Sequence, residues 1–382
     1  MAGGDFRNKV AVIGVGCTKF GELYEASAEE LICEAAFEAM ADAGVEPHQI
    51  EAAWVGTVMS QLAGDALGDP LKLHGIPITR VSAYCASGMD ALRNASFAIA
   101  AGVYDLALVL GFEKMRDGGY HRPARLHPVI DNGERAPHIF ALVANRYFKR
   151  HGASKSTLAK VAMKNHHHGT LNPKAHLRME VSEEQVVKAP MIYSPLGLFD
   201  CCPTTDGAAA AVLCRADRAK EFRPDPVYVK GIGLAVMSGQ PYYKPSFDYR
   251  GFPATQRAAA VAYEQAGVGP ADIDFAEVHD CFTITEILNY EDLGFCARGE
   301  GGRFVEEGRS ALGGERPVNP SGGLKSFGHP VGATGVRMIT ELTEQLQHRA
   351  GVRQVKNARL GLAHNLGGPG AVSCVSILGN SR

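Results

Sequence analysis

No apolar run in the 382 residues approaches the ~18 that span a bilayer, so a helical membrane span is excluded. Neither sign of charge is in excess. The 39 Lys and Arg against 41 Asp and Glu leave a net charge of -2, with no basic field for nucleic acid or anionic lipid. The nine cysteines contain no Cys-x-x-Cys pair, and a chain this long needs neither a disulfide framework nor a metal in order to fold. Met1 to Arg7 hold no apolar h-region, so no secretory leader is expected. Low-complexity tracts are missing too. What is there is 46% hydrophobic and 21% charged, with 44 glycines for tight turns. At about 150 residues per domain this makes two to three lobes with a large core. The expectation is a soluble cytoplasmic α/β enzyme with no bound metal.

Residues 9–16 read as a buried strand running into a glycine turn. From 28 to 43, Leu31, Ile32, Ala35, Ala36, Ala39, Met40 and Ala43 occupy one face of a helix. Gly44 stands at its C′ position, and Pro47 follows. Ala52 to Val58 and Leu106 to Gly111 read as further strands, so strand and helix alternate as in a parallel, doubly covered sheet. The pattern Ala-Gly-Val-x-Pro-x-x-Ile-acid-x-Ala-x-Val at Ala43 returns at Ala266, 223 residues later, with seven of thirteen positions identical. We read this as a duplication. One half comprises 1–118 and 196–222, the other 223–382. Between the two pieces of the first half, 119–195 is rich in His, Arg, Lys and Pro and weakly periodic, as an inserted cap over a site would be. His166, His167 and His168 lie in it. Neighbours on a helix point apart, so a solvated or substrate-lining stretch is expected rather than a metal site.

Four places can carry chemistry. Cys85 immediately precedes an alanine-rich helical stretch. A thiol there has its pKa lowered by the helix dipole, and the free N–H groups can hold an oxyanion; a small buried core cysteine is the alternative. His329 ends a glycine-rich loop at the start of an amphipathic helix. There the dipole disfavours imidazolium and leaves the ring free to act as a base. The pattern of a phosphate-binding P-loop is missing from that loop. His279 and Cys281 follow the repeated strand at 275–278, where sites gather in parallel sheets; either could equally be a core residue. His364 to Gly370 form a second strand end that turns tightly.

Taken in order, Cys85-Ala86-Ser87-Gly88, Cys202-Pro203-Thr204-Thr205-Asp206-Gly207, His279-Asp280-Cys281-Phe282, Asn319-Pro320-Ser321-Gly322-Gly323, Gly328-His329-Pro330 and His364-Asn365-Leu366-Gly367 resemble the thiolase superfamily. The likeness spans nearly the whole chain. Within the superfamily the chain looks most like the sterol-carrier-protein-type thiolases and the archaeal and bacterial acetyl-CoA acetyltransferase-like branch. Ordinary thiolases carry Asn-Glu-x-Phe where this chain has His279 to Phe282, and Cys-x-Gly where it has His364 to Leu366. The second cysteine has thus moved to Cys281.

The resemblance implies a thiolase fold of two duplicated βαβαβαββ halves, giving a five-layered αβαβα core with an inserted loop domain. It implies cleavage or formation of a 3-oxoacyl-CoA by Claisen chemistry. In that scheme Cys85 is the nucleophile, His329 its base, His279 an oxyanion donor and Cys281 the acid/base at the enolate carbon. The backbone N–H groups of Cys85 and Leu366 hold the thioester oxygen, and His364, Asn319 and Gly323 shape the substrate pocket. Coenzyme A enters as co-substrate with no permanent cofactor. A homodimer is implied, as is a small zinc-ribbon/OB-fold partner protein, and CoA would lie under the cap. Two other readings stay open: a thiolase-like aldolase, and a non-catalytic acyl-CoA-binding subunit. The acyl group, whether acetoacetyl, aromatic or dicarboxylic, is not legible from these motifs.

Overall fold

The duplication seen in the sequence is built into the backbone. In the first copy, Ser27 and Glu30 cap each other at the start of the Ala28–Ala43 helix, and Gly44 ends it with φ +67°. In the second, the Pro253–Ala266 helix ends at Gly267 with φ +65°. Each is followed by a short 3-10 turn begun by a proline, Pro47–Gln49 and Pro270–Asp272, and then by a strand. The computed structural model describes residues 6–60, 62, 64–117, 136–237 and 247–382.

The strands are β1 (Val10–Cys17), β2 (Ala52–Gly56), β3 (Ile78–Val81), β4 (Leu106–Glu113), β5 (Met191–Tyr193), β6 (Leu196–Gly197), β7 (Gly207–Arg215), β8 (Val227–Val236), β9 (Phe275–Val278), β10 (Leu360–Gly367) and β11 (Val372–Gly379). Nine of them make one sheet in the order β3-β2-β4-β7-β1-β8-β11-β10-β9. The sheet is mixed where the sequence suggested a parallel one. β2 is parallel to β3 and β4, and β9 to β10, but β7 runs back between β4 and β1, and β11 returns from β10 as a hairpin. Each half therefore has the same order. On the second side the outermost strand is reduced to Val318, which bridges Ala276 in parallel. The halves meet where β1 pairs with β8 over Ala11–Tyr228 and Val12–Val227.

Helices complete the five layers. Ala28–Ala43 covers β1, β7 and β4 from outside, and Pro253–Ala266 covers β8 and β11. Between the halves, the Ser87–Ala100 and Thr334–Leu346 helices touch each other and strands of both halves. That central layer is tight enough to require glycine. A Cβ on Gly332 would stand 2.5 Å from the carbonyl oxygens of both Gly56 and Phe112, and one on Gly88 would stand 2.5 Å from that of Gly332.

The described part of 119–195 adds nothing to the main sheet. It holds the helices Ala136–His151, Lys155–Thr170 and Glu183–Lys188 and the strand β5, whose hairpin partner β6 lies just past its end. Residues 119–135 of the expected cap lie outside the described residues. The three-histidine stretch corrects the sequence reading. It is the C-terminal part of a helix whose inner face is dry: His166 and His168 are buried and only His167 is exposed. His168 bridges Asn319 O (2.8 Å) and Leu312 N (3.1 Å), so it is a structural strut. No helix among the described residues is long and apolar enough to cross a membrane.

Candidate active site

Cys85 sits in an elbow between β3 and the Ser87–Ala100 helix. Tyr84 takes φ +51°, a left-handed conformation that a tyrosine adopts only under constraint. The constraint is visible: Ser87 Oγ accepts from Ala83 N (2.8 Å) and donates to Tyr84 O (2.5 Å), closing the turn around the cysteine. The turn between β10 and β11 presses against it, and a Cβ on Gly367 would stand 2.5 Å from Ala83 O. That approach brings the backbone N–H of Gly368 onto the Cys85 thiol, alongside Cys85's own. The sequence reading gave the Leu366 amide the thioester oxygen; the Gly368 amide, two residues further along the same turn, is the one on the sulfur. Leu366 itself is a core side chain.

The thiol does not follow the sequence expectation. A helix N-terminus contributes at most about 2 kcal/mol toward the thiolate. Burial overrides it and pushes Cys85 from 9.0 up to about 12, with the two amides pulling the other way and the Glu113 charge adding to the rise. At rest Cys85 is a thiol.

Three of the four expected catalytic side chains converge. The Cys85 sulfur and one ring nitrogen each of His279 and His329 all lie within 4.8 Å of one another, and the two imidazoles meet edge to face at 5.1 Å. The hydrogen bonds behind the rings set what each presents. Thr334 has one hydroxyl proton, which it gives to Pro330 O (3.0 Å); it therefore accepts at 2.6 Å from His329 Nδ1–H. His329 Nε2 is left as a lone pair, and burial lowers this histidine to about 3. His279 is arranged the other way round. Asn365 Nδ2 donates to its Nδ1 (3.1 Å), so its proton lies on Nε2. Burial, then the neighbouring His329 and His364, hold it neutral. The trio thus offers a thiol, an acceptor and a donor. A resident metal would need a lone pair from each, and His279 presents a proton instead.

Cys281 stands beside the trio, not in it. It is 7% exposed, its carbonyl accepts from Cys202 N (2.9 Å), and burial together with Cys202 and Cys85 pushes its thiol well up. His364 joins neither Cys85 nor His329. Its Nε2 meets Thr255 Oγ1 at 3.0 Å, and Nδ1 has no partner among the described residues. Asn319 is buried, accepts from Val278 N (2.8 Å) and donates to Glu286 (2.7 Å), so it braces the end of β9 from behind. Gly323, φ +60°, leaves room for the Asp280 carboxylate.

Several residues that hold the site together were not singled out from the sequence. Glu113, at the end of β4, is fully buried. It accepts from Thr57 Oγ1 (2.6 Å), from the N–H groups of Val58 (3.1 Å), Met59 (2.9 Å) and Ser60 (3.2 Å), and from Gly332 N (3.0 Å), three residues after His329. Asp280, raised to about 7 by burial and by Glu286, accepts from Leu324 N (2.6 Å), Lys325 N (3.1 Å) and Asn165 Nδ2 (2.7 Å). Lys164 pairs with Glu286 (2.9 Å), tying the Lys155–Thr170 helix to the same loop. An acid at the end of a strand that reads as core was the available signal for Glu113.

Two family models match the chain: "Thiolase, N-terminal domain" over residues 10–217 and "Thiolase C-terminal domain-like" over 242–380. The acetyl-CoA acetyltransferase of Methanothermobacter thermautotrophicus is 43% identical over 380 residues, covering 96% of this chain and 98% of its own. Bovine (Bos taurus) sterol carrier protein 2 is 36% identical over 390 residues, covering 96% of this chain and 71% of its own. Among solved structures, the Ltp2-ChsH2(DUF35) aldolase superposes with a TM-score of 0.90 at 26% identity, over 99% of this chain and 100% of that one.

Proposed function

Because this chain belongs to the thiolase family and is an acyltransferase of it, we propose that it cleaves or forms 3-oxoacyl-CoA esters through an acyl thioester on Cys85. The observation that carries this reading is the 4.8 Å cluster of one thiol, one imidazole lone pair and one imidazole N–H.

With Cys85 at about 12 and His329 at about 3, the neutral pair is the resting state. The proton moves to His329 Nε2 only as the sulfur attacks the keto carbon, in general-base fashion. The C–C bond then breaks and leaves an acyl-CoA enolate. His279 Nε2–H is the donor for its oxygen, in a water-poor site where such a bond counts for more than in solution. Cys281, a buried thiol that keeps its proton, delivers it to the enolate carbon, or removes it in the Claisen direction. The waiting thioester has the Cys85 and Gly368 amides close to its sulfur. The thiol of a second CoA, the co-substrate, gives its proton to the Cys281 thiolate and attacks the thioester carbon, and the departing Cys85 sulfur takes back the proton held on His329. The same steps in reverse build the 3-oxoacyl ester, and concentration decides the direction.

The aldolase reading has the TM-score of 0.90 on its side. An aldol cleavage of a β-hydroxyacyl-CoA needs no thioester, however, and a trapped Cys85 thiol with an imidazole base has no task in it. The deciding measurement is mass spectrometry after brief exposure to acetyl-CoA. An acyl adduct on Cys85 is expected; an adduct elsewhere, or none, ends the proposal.

The expected partners accord with this reading. β3 lies at an open end of the sheet, free to meet a second copy. The superposed aldolase carries a DUF35 component, which supports a small zinc-ribbon/OB-fold companion here. All nine cysteines are free, as in a reducing cytoplasm.

A further inference from the structure

Four Lys and Arg side chains are buried among the described residues, and three have partners. Lys230 donates to Asn8 Oδ1 (2.6 Å), Arg337 pairs with Glu277 (2.5 Å), and Arg353 pairs with Glu341 (3.1 Å) and Glu344 (2.8 Å). The fourth, Lys325, is 2% exposed, and its ammonium has neither an ion pair nor a hydrogen-bond acceptor among the described residues. Asp280 is close enough to be felt, but its oxygens are taken by Leu324 N, Lys325 N and Asn165. A buried cation left without a counter-group costs several kcal/mol, which is why buried charges are paired.

The place matters as much as the charge. Lys325 lies four residues before His329, in the Gly323–Ser326 turn that hangs from Asp280, next to Cys281. Its ammonium stands 6.0 Å from the Phe199 ring, with Cys201 and Cys202 beside it. Cys202 in turn is bonded through its N–H to Cys281 O and lies near Cys85. The lysine head therefore lies behind the reacting thiols. A second unpartnered atom lies near the ammonium. His166 is fully buried and packs edge-on against Phe199 at 5.7 Å; it gives Nδ1–H to Met179 O (3.1 Å) and leaves Nε2 without a partner among the described residues. That nitrogen accepts rather than donates, so a water shared with an anion on the ammonium would satisfy both.

We propose that Lys325 is a specificity residue that pairs with a free carboxylate on the acyl portion of the substrate, making carboxylated 3-oxoacyl-CoA esters the preferred class. This deepens the proposed thiolase reading and rests on it. It gives the lysine the counter-group that the protein withholds. It also assigns Phe199, Cys201 and Cys202 as the apolar walls that keep that pair dry.

The test compares kcat/KM for thiolysis of 3-oxoadipyl-CoA and 3-oxopimelyl-CoA with that of 3-oxohexanoyl-CoA and 3-oxoheptanoyl-CoA. A desolvated, charge-assisted hydrogen bond predicts a preference of about 10- to 100-fold for the carboxylated esters. K325M should abolish that ratio, mainly through KM, and K325R should keep part of it. A wild-type ratio near one, or a K325M enzyme that keeps the ratio, overturns the proposal. Should K325M fail to fold, dissociation constants of succinyl-CoA and butyryl-CoA for the Cys85→Ser enzyme decide instead, and equal affinities count against it. Failure of every ester to acylate Cys85 removes the parent reading and this one together. Acylation without discrimination removes this one alone.

Discussion

Thr334→Val is the sharpest probe of the tautomer argument. Among the described residues the hydroxyl of Thr334 is the sole partner of His329 Nδ1, at 2.6 Å, and both residues are buried, at 0% and 6% exposed. Valine keeps the shape and removes the acceptor. The imidazole is then free to put its proton on Nε2, where it faces Cys85 as a donor and cannot act as a base. Losing such a buried partner costs about 1–3 kcal/mol. At 1.36 kcal/mol per tenfold, Cys85 acylation should slow by about 5- to 150-fold. The assay is quenched-flow mass spectrometry of the Cys85 adduct formed from acetyl-CoA, with the melting temperature as a control for gross disruption. Thr334→Ser, which restores the hydroxyl, should recover most of the rate. Wild-type acylation in the valine variant, or a serine variant as slow as valine, would refute the reasoning.

The other expectations follow from neighbouring features. Cys85 stays a thiol until about pH 12, and His329 stays an unprotonated base down to about pH 3. Acylation should therefore be flat through the neutral range and fall only as acid protonates His329; a rate climbing tenfold per pH unit through neutrality contradicts both assignments. Cys281→Ala should still form the Cys85 adduct yet lose deuterium exchange at the α-carbon of acetyl-CoA, and normal exchange removes Cys281 from the mechanism. Glu113→Gln turns an amide NH2 toward N–H donors that now share two carboxylate oxygens. It should lower stability by about 1–3 kcal/mol in denaturant titration, and an unchanged midpoint means that the five bonds to Glu113 do not hold the His329 loop.

How much of this was legible beforehand depended on distance along the chain. The repeat at Ala43 and Ala266 is local, and it placed both helix ends and the second following strand to the residue, while the first strand stops at Gly56, two residues short of the reading. Cys85, His279 and His329 were legible because each stands at a turn with a composition of its own. Their bracing was not. Glu113 meets Gly332 across 219 residues and Asn365 meets His279 across 86, and no spacing rule reaches so far. The ionisation of Cys85 was misjudged for the same reason. A helix start can be seen in sequence, whereas the desolvation that outweighs it is a sum over both halves. The histidines at 166–168 read as polar until the helix they sit on turned two of them inward. Lys325 looked like one more loop lysine, because an unpaired ammonium is recognised only when its surroundings are known.

The division of labour across the seam has a consequence for biosynthesis. Cys85 leaves the ribosome in the first repeat, while both imidazoles that face it arrive with the second. A nascent chain therefore carries the sulfur well before either imidazole has been made. The cluster is complete only once the second repeat is in place, with β8 paired to β1 and the Thr334–Leu346 helix in the middle layer.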